Sequence, residues 1–197
     1  MFNACPELAA YLLRDIFDLP EQANPRIDPD APIQLNHDEP RPDVVVTFSD
    51  DAGHIRNGAI IQIQLHRDET KQWTWPLYLA ELFAGIHCPV VLAVITIDPE
   101  MVDWCAEPIN IDGRKSEMLP LVLGPDAIPR DIDPATLQKL PELGVLSVVM
   151  HGRGADAERL GLAAMTALDG VTGEHAQLYR ALIHQHLSEA ARLAIES

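Results

Sequence analysis

Apolar residues in the middle of the chain form short runs that are typical of buried strands. Val44–Phe48 and Val90–Ile97 are continuous β-branched and apolar runs, whereas Ile55–Leu65 ends in an alternation of apolar residues and glutamines. Continuous runs of this length favour strands buried on both faces of a parallel or mixed sheet, and alternation favours a strand with two different faces. We therefore predict that these three segments lie in one sheet.

Apolar residues recur at helical spacing before and between these strands. Residues 2–18 predict an N-terminal helix that ends before Pro20. Between the second and third strands, residues 75–87 carry a stripe of aromatic and apolar side chains, for which Thr74 is a candidate cap and Pro76 suits the first turn. We interpret the stripe as a core-packing face rather than a platform for stacked nucleobases. Strand, helix, strand is a crossover, and the chain is predicted to be an α/β protein.

The segments outside these elements predict loops and short elements. Residues 20–42 are rich in proline and acidic residues, and they predict a surface loop with a short edge strand at Ile33–Asn36. Pro99–Glu107 predicts a short helix, and Met118–Leu123 predicts a short strand.

The last third of the chain differs in character from the part that precedes it. It is rich in Ala and Leu, and its only strand signal is the short run Val145–Met150. Glycines divide it into three predicted helices, at residues 134–152, 155–169 and 172–195.

Composition limits the classes of function. The 197 residues include 30 Asp and Glu against 14 Lys and Arg, a formal net charge of −16, which repels a polyanion. Because nucleic-acid binding usually needs a basic surface, a nucleic-acid site would have to be local, metal-mediated or supplied by a partner. No apolar run is long enough to span a membrane, and the acidic N-terminus does not match a signal peptide, so we expect a cytoplasmic protein. Three cysteines without CxxC spacing argue against disulfides and structural zinc.

Polar residues at the ends of two predicted strands form the candidate site. Asp43 precedes the first strand, and Gln62 and Gln64 lie near the end of the second, on one face. A hairpin joins these strands, so we predict that the Asp43 carboxylate and the Gln62 side chain lie within about 8 Å, the span of a shared metal ion. Structural interpretations stay open beside this one: Asp43 as a strand-end cap, the glutamines as an exposed polar face, and Lys71 as a solvated charge at a helix start.

The order of elements and these polar residues resemble the core of the PD-(D/E)XK nuclease superfamily. Pro42-Asp43 and Gln62-Ile63-Gln64, followed at once by a helix, carry the resemblance, which covers residues 1–123. The chain looks closest to the branch of recombination-promoting nucleases and transposases, in which a helix similar to Trp75-Pro76-Leu77-Tyr78 follows the second half-motif. The resemblance implies an α/β core with a mixed central sheet flanked by helices over residues 1–128, and a helical C-terminal extension over residues 134–197 that packs on it.

The resemblance also implies a Mg²⁺ site, since the family uses Mg²⁺ held by carboxylates to hydrolyse phosphodiesters. Carried over by motif position, Asp43 is a metal ligand, Gln62 stands at the position of the second acid ligand, and Gln64 stands at the position that orients the water. Glu7 corresponds to the acid of the N-terminal helix. Gln62 is the departure from the family, because an amide oxygen can ligate Mg²⁺ but carries no charge. Three acids of the following link and helix are candidates for the missing charge: Asp68, Glu69 and Glu81.

Two main functions are consistent with these features, beside a third alternative, a small-molecule or acidic regulatory module unrelated to nucleic acid. The first is Mg²⁺-dependent hydrolysis of DNA or RNA, with activity weak or lost because Gln62 replaces the expected acid. The second is a non-catalytic scaffold or regulatory protein that uses the nuclease fold for protein–protein interaction, which the net charge and Gln62 favour. The corresponding partners are a nucleic acid, or a second copy of the chain or another protein bound through the C-terminal helices. No membrane partner is expected.

Overall fold

The computed structural model describes residues 1–19, 23–29, 31 and 41–196, and the chain divides into two compact units. One unit, here the sheet unit, is Ala9–Gly124. The other, here the tail unit, joins Met1–Leu8 to Pro125–Ser197. The edge strand predicted at Ile33–Asn36 lies outside the described residues.

A mixed sheet of five strands forms the centre of the sheet unit, and a separate two-stranded hairpin accompanies it. The strands are β1 (Pro25–Ile27), β2 (Val44–Ser49), β3 (Ile55–Ile63), β4 (Val90–Ile95), β5 (Ile109–Asn110), β6 (Glu117–Met118) and β7 (Leu121–Leu123). The order in the large sheet is β1-β2-β3-β4-β7, in which β1, β2 and β3 pair antiparallel and β3, β4 and β7 pair parallel. The predicted α/β class and the shared sheet of the three strands are confirmed.

Two strands differ from the sequence-based expectation. β1 lies inside the segment predicted as a loop, where it pairs with the outer edge of β2. The single strand predicted at Met118–Leu123 is divided, because Leu119 and Pro120 separate β6 from β7. Proline has no N–H to donate to a sheet ladder, which accounts for the break at this point.

The helix between β3 and β4 begins earlier than its apolar stripe suggests. Helix α2 (Lys71–Ile86) follows α1 (Pro6–Tyr11) and a π-helical turn at Leu12–Ile16. Thr70, rather than Thr74, precedes its first residue, and the predicted place of Pro76 in the first turn is wrong. Asp68 starts the helix instead, since its side chain accepts from the Thr70 N–H at 3.0 Å and its carbonyl accepts from the Lys71 N–H. Pro76 is tolerated further along because the carbonyl it leaves unpaired belongs to exposed Gln72.

One face of the sheet packs against α2 and against α3 (Pro99–Ala106). The buried residues of this core share the α2-facing side of the strands or the inner side of the helices, and they are Val45, Ile60, Leu92 and Val94 with Trp75, Tyr78, Leu82, Met101 and Cys105. The core-packing interpretation of the α2 stripe therefore holds for Trp75, Tyr78 and Leu82. Phe83, within the same stripe, is 57% exposed instead.

Among the described residues from Pro125 onward, five α-helices replace the three that were predicted. They are α4 (Pro134–Lys139), α5 (Pro141–His151), α6 (Ala157–Ala167), α7 (Glu174–His186) and α8 (Glu189–Glu196). Pro141 separates α4 from α5 because it cannot continue the hydrogen bonding of the preceding helix. Leu187 adopts an extended conformation between α7 and α8, and the Ser188 hydroxyl accepts from the Ala191 N–H at 3.3 Å, so it caps the last helix.

Helix α5 is the central helix of the tail unit and packs against α4, α6 and α7. The run Val145–Met150, the strand signal in the sequence, lies inside this helix, because a helix apolar on all sides is as well suited to a buried position as a strand is. Its two buried polar side chains both reach the preceding segment. Ser147 donates to the Pro129 carbonyl at 2.9 Å, and the His151 ring nitrogen Nε2 lies 2.9 Å from the Ile128 carbonyl.

Within the part of the chain that the structure describes, no helix combines the length and the apolar character needed to cross a membrane.

We predict that Gly152→Ala lowers the free energy of unfolding by about 1–3 kcal/mol, because overpacking against rigid atoms is costly. An added Cβ would lie 2.6 Å from the Val148 carbonyl oxygen and 2.8 Å from the His186 carbonyl oxygen, both backbone atoms. Gly170→Ala is the matched control, since nothing lies within 4 Å of its Cβ position, and it should change stability by less than about 0.5 kcal/mol. Urea denaturation followed by circular dichroism measures both, and equal stability of the two variants would contradict the close approach.

Candidate functional site

Asp43 and Gln62 meet at the point where β2 begins and β3 nears its end. The antiparallel register pairs Val44 with Ile61, so the preceding Asp43 lies beside Gln62. The Gln62 Nε2 donates to Asp43 Oδ2 at 2.7 Å, and the Ile63 backbone N–H donates to the same oxygen at 2.7 Å. The predicted proximity of the two side chains is confirmed, and the direct contact between them is a hydrogen bond.

The two glutamines occupy the covered face of the sheet. Gln62 is 2% exposed and Gln64 is 4% exposed, whereas the apolar Ile63 and Leu65 between and after them are 49% and 56% exposed. The interpretation of the glutamines as an exposed polar face is therefore wrong. Side chains alternate along a strand, so Gln62 and Gln64 share the α2-facing side with Ile60 of the core. A buried amide requires hydrogen-bond partners, which makes the neighbours of Gln62 decisive.

Lys71 is the second partner of Gln62. It is the first residue of α2, it is half-buried, and its Nζ donates to the Gln62 Oε1 at 3.4 Å. Lys71 lies at a helix start, as one interpretation had it, and it also contacts Gln62. The Gln62 amide donates to a carboxylate at one end and accepts from an ammonium at the other, so both ends are matched in polarity. We call this chain of Asp43, Gln62 and Lys71 the amide bridge.

Gln64 lies on the same face but bonds locally. Its side-chain Nε2 donates to the His66 carbonyl at 2.5 Å, and its backbone N–H donates to the Ile95 carbonyl of the neighbouring strand at 2.9 Å. Gln64 thus fixes the turn that leaves β3 and leads to α2. This contact is structural. It directs the Gln64 amide nitrogen toward the His66 carbonyl and not toward Asp43.

Two of the other acids considered for the site, Glu7 and Asp68, have local contacts. Glu7 belongs to the tail unit and accepts from the Cys5 thiol at 3.6 Å; burial raises the pKa of that thiol to about 12. Asp68 accepts from the hydroxyl and the N–H of Thr70, contacts that hold the pKa of Asp68 below its ordinary value. Both carboxylates are thus accounted for by contacts with neighbours in the sequence.

The residues of the amide bridge do not fit a resident Mg²⁺ ion. Mg²⁺ prefers carboxylates and other oxygens in octahedral geometry, but the bridge provides one carboxylate, whose Oδ2 already accepts two hydrogen bonds. The Lys71 ammonium is bound to the amide oxygen that a metal would use. Among the described residues, no cluster of three or more His, Cys, Asp or Glu side chains has the arrangement needed to hold a metal ion.

Lys71 is the residue of this site that sequence reasoning missed. The spacing of Gln62 and Lys71 along the chain spans a strand end, a turn and a helix start, and the turn decides whether the two meet. A lysine at the first position of the helix that follows a glutamine-bearing strand was the available signal. It identifies a candidate partner only once the glutamine is known to be buried.

Comparisons with known proteins complete the description of the site. No family model matches this chain, and neither a curated protein nor a solved structure matches it. Its function is accordingly inferred from the chemistry of its own residues.

Proposed function

We propose that this chain is a nuclease-like protein in which metal-dependent phosphodiester hydrolysis is lost, and that it acts as a non-catalytic scaffold that binds another protein. The amide bridge carries the proposal. Asp43, the one acid present in the half-motifs, accepts from Gln62 rather than facing a second carboxylate. The remaining position next to the amide is occupied by the Lys71 ammonium.

Charge balance is the physical reason. Asp43 and Lys71 carry opposite unit charges at the two ends of a neutral amide, so the amide bridge is neutral as a whole. A doubly charged ion placed against Asp43 would face the Lys71 ammonium, and it would gain only one carboxylate in return for its lost hydration. Hydrolysis that depends on such an ion is therefore disfavoured at this site.

The net charge favours a protein over a nucleic acid as the partner. A net charge of −16 repels the phosphate groups of a nucleic acid.

In the proposed scaffold role, the helical tail also contributes to assembly, by binding a second copy of the chain or another protein. Three leucines on different tail helices support it by their exposure: Leu162 at 46%, Leu178 at 48% and Leu193 at 64%.

We predict that the natural protein does not cleave plasmid or single-stranded DNA or RNA with Mg²⁺ or Mn²⁺, and that Gln62→Glu raises its affinity for Mg²⁺ roughly tenfold, because a second carboxylate then faces Asp43. Asp43→Ala in the Gln62→Glu background should abolish the gain. Calorimetric titration measures the affinity, and gel assays measure cleavage.

Asp43→Ala alone, purified identically, is the control for contaminating nucleases in these assays. Metal-dependent cleavage by the natural protein that disappears in Asp43→Ala would overturn the proposed loss of activity. It would establish the chain as an active nuclease.

We predict that Asp43→Ala lowers the free energy of unfolding by about 1–3 kcal/mol, because it leaves the buried Gln62 N–H without an acceptor. Gln62→Leu combined with Asp43→Ala should recover part of this loss, since the apolar replacement removes the unpaired donor. Lys71→Met should cost less than about 1 kcal/mol, since its contact is long and half-exposed. Urea denaturation of the natural protein, Asp43→Ala, Gln62→Leu alone, the double variant and Lys71→Met measures these differences, and additive effects of the two single changes in the double variant would argue against the amide bridge.

A further inference from the structure

All three tryptophans of the chain line one cleft in the sheet unit. Trp73 and Trp75 lie in the first turns of α2, and Trp104 lies near the end of α3. The cleft has a volume of about 260 Å³. Two acidic residues, Glu69 and Glu107, are also among its lining residues. We call this site the tryptophan cleft.

The tryptophans of the cleft are only partly accounted for by packing. Trp75 is 2% exposed and packs in the core, with its ring centroid 6.1 Å from that of Trp104 and the planes tilted by 59°. Trp73 is 73% exposed, an unusual state for the largest apolar side chain. The buried Trp75 Nε1–H has no hydrogen-bond partner among the residues that the structure describes. Buried tryptophan N–H groups usually have one.

We infer that the tryptophan cleft binds the arginine side chain of a basic segment in a partner protein. Tryptophan is the aromatic side chain that attracts cations best, and a guanidinium stacks on aromatic faces while it donates to carboxylates. The cleft supplies both features, the indoles of Trp73 and Trp104 and the acidic residues Glu69 and Glu107. Its volume is below the ~300–1,000 Å³ of sites for drug-sized ligands, and it suits a single side chain.

The exposed indole of Trp73 beside the cleft favours an arginine presented by a peptide over a free cation, because neighbouring residues of the peptide can also cover that indole. The inference rests on the proposed protein-binding role and specifies the chemistry of the partner.

Charge separates this ligand from a nucleobase, which also stacks on tryptophan. The side chains that line the cleft carry two carboxylates and the one ammonium of Lys71, which donates to Gln62. A phosphate backbone next to Glu69 and Glu107 would be repelled, and the net charge of −16 adds to the repulsion. An arginine is attracted by the same groups.

The test is a titration followed by the three indole N–H signals in ¹H–¹⁵N NMR spectra of the whole protein, since every tryptophan reports on the cleft. The probe is a blocked glycine peptide with one central arginine, and its counterpart with citrulline has the same shape without the charge. We expect the arginine peptide to shift the indole signals and to bind at least about fivefold more tightly than the citrulline peptide. Equal binding of the two peptides, or no shift with either, would overturn the inference.

Variants locate the binding. Glu107→Gln should weaken arginine-peptide binding about threefold to tenfold, whereas Glu100→Gln, which removes the same charge from exposed α3 surface outside the cleft, should not. Trp73→Ala should weaken binding by a similar factor, and Phe83→Ala, an exposed aromatic on the same helix, should leave it unchanged. Equal effects of a cleft variant and its control would place the peptide elsewhere.

Two further measurements distinguish a failure of this inference from a failure of the proposed function. A short oligothymidylate that shifts the indole signals at lower concentration than the arginine peptide would replace the inference with base stacking. The cleavage assays and the peptide titration are separate measurements on the natural protein, so cleavage activity in the earlier assays would refute the proposed loss of catalysis and leave the inference about the cleft standing. Absence of cleavage together with absence of peptide binding would refute the cleft alone.

Discussion

Burial of the Gln62 amide at the end of β3 is the constraint on which the candidate site depends. An amide removed from water must find both an acceptor and a donor, or it destabilises the fold. Asp43 supplies the acceptor from the neighbouring strand, and Lys71 supplies the donor from the start of α2. Their opposite charges also determine which way the amide points. The two strands and the helix are therefore joined at one point by polar groups that leave no net charge for a metal ion to neutralise.

The strands could be predicted from the sequence where their burial is uniform. All six residues of β2 are buried. A short and mostly apolar run of this kind is typical of a strand that is covered on both faces of a sheet. The same signal at Val145–Met150 lies within a segment predicted to be helical and is part of α5, because a helix in the centre of a helical unit is also apolar on all sides. The start of α2 was missed for a local reason. Asp68 and Thr70 start the helix through side-chain and backbone contacts, which precede the apolar stripe that marks its packing face.

The candidate site was predictable only where a hairpin determines the neighbours. Asp43 and Gln62 face each other because β2 and β3 are adjacent and antiparallel, and the spacing of the two residues follows from that pairing. Lys71 depends on how the link after β3 turns, and this conformation has no periodic signal. The tryptophan cleft depends on two helices separated by β4, so Trp104 joins Trp73 and Trp75 only through the crossover and the packing of α3. Contacts that depend on tertiary packing in this way leave no signal in the local pattern of the sequence.

Lys71 connects the two sites, because it donates to Gln62 and also lines the tryptophan cleft. As the ammonium among the groups that line the cleft, it opposes the entry of another cation. Its hydrogen bond to Gln62 directs the ammonium toward the Gln62 amide, whose other end donates to the Asp43 carboxylate. The carboxylates of Glu69 and Glu107 then dominate the charge that an incoming guanidinium meets. In the proposed complex, the neutral amide of Gln62 therefore does two things: it offers no charge to a metal ion, and it provides a partner for the lysine beside the cleft.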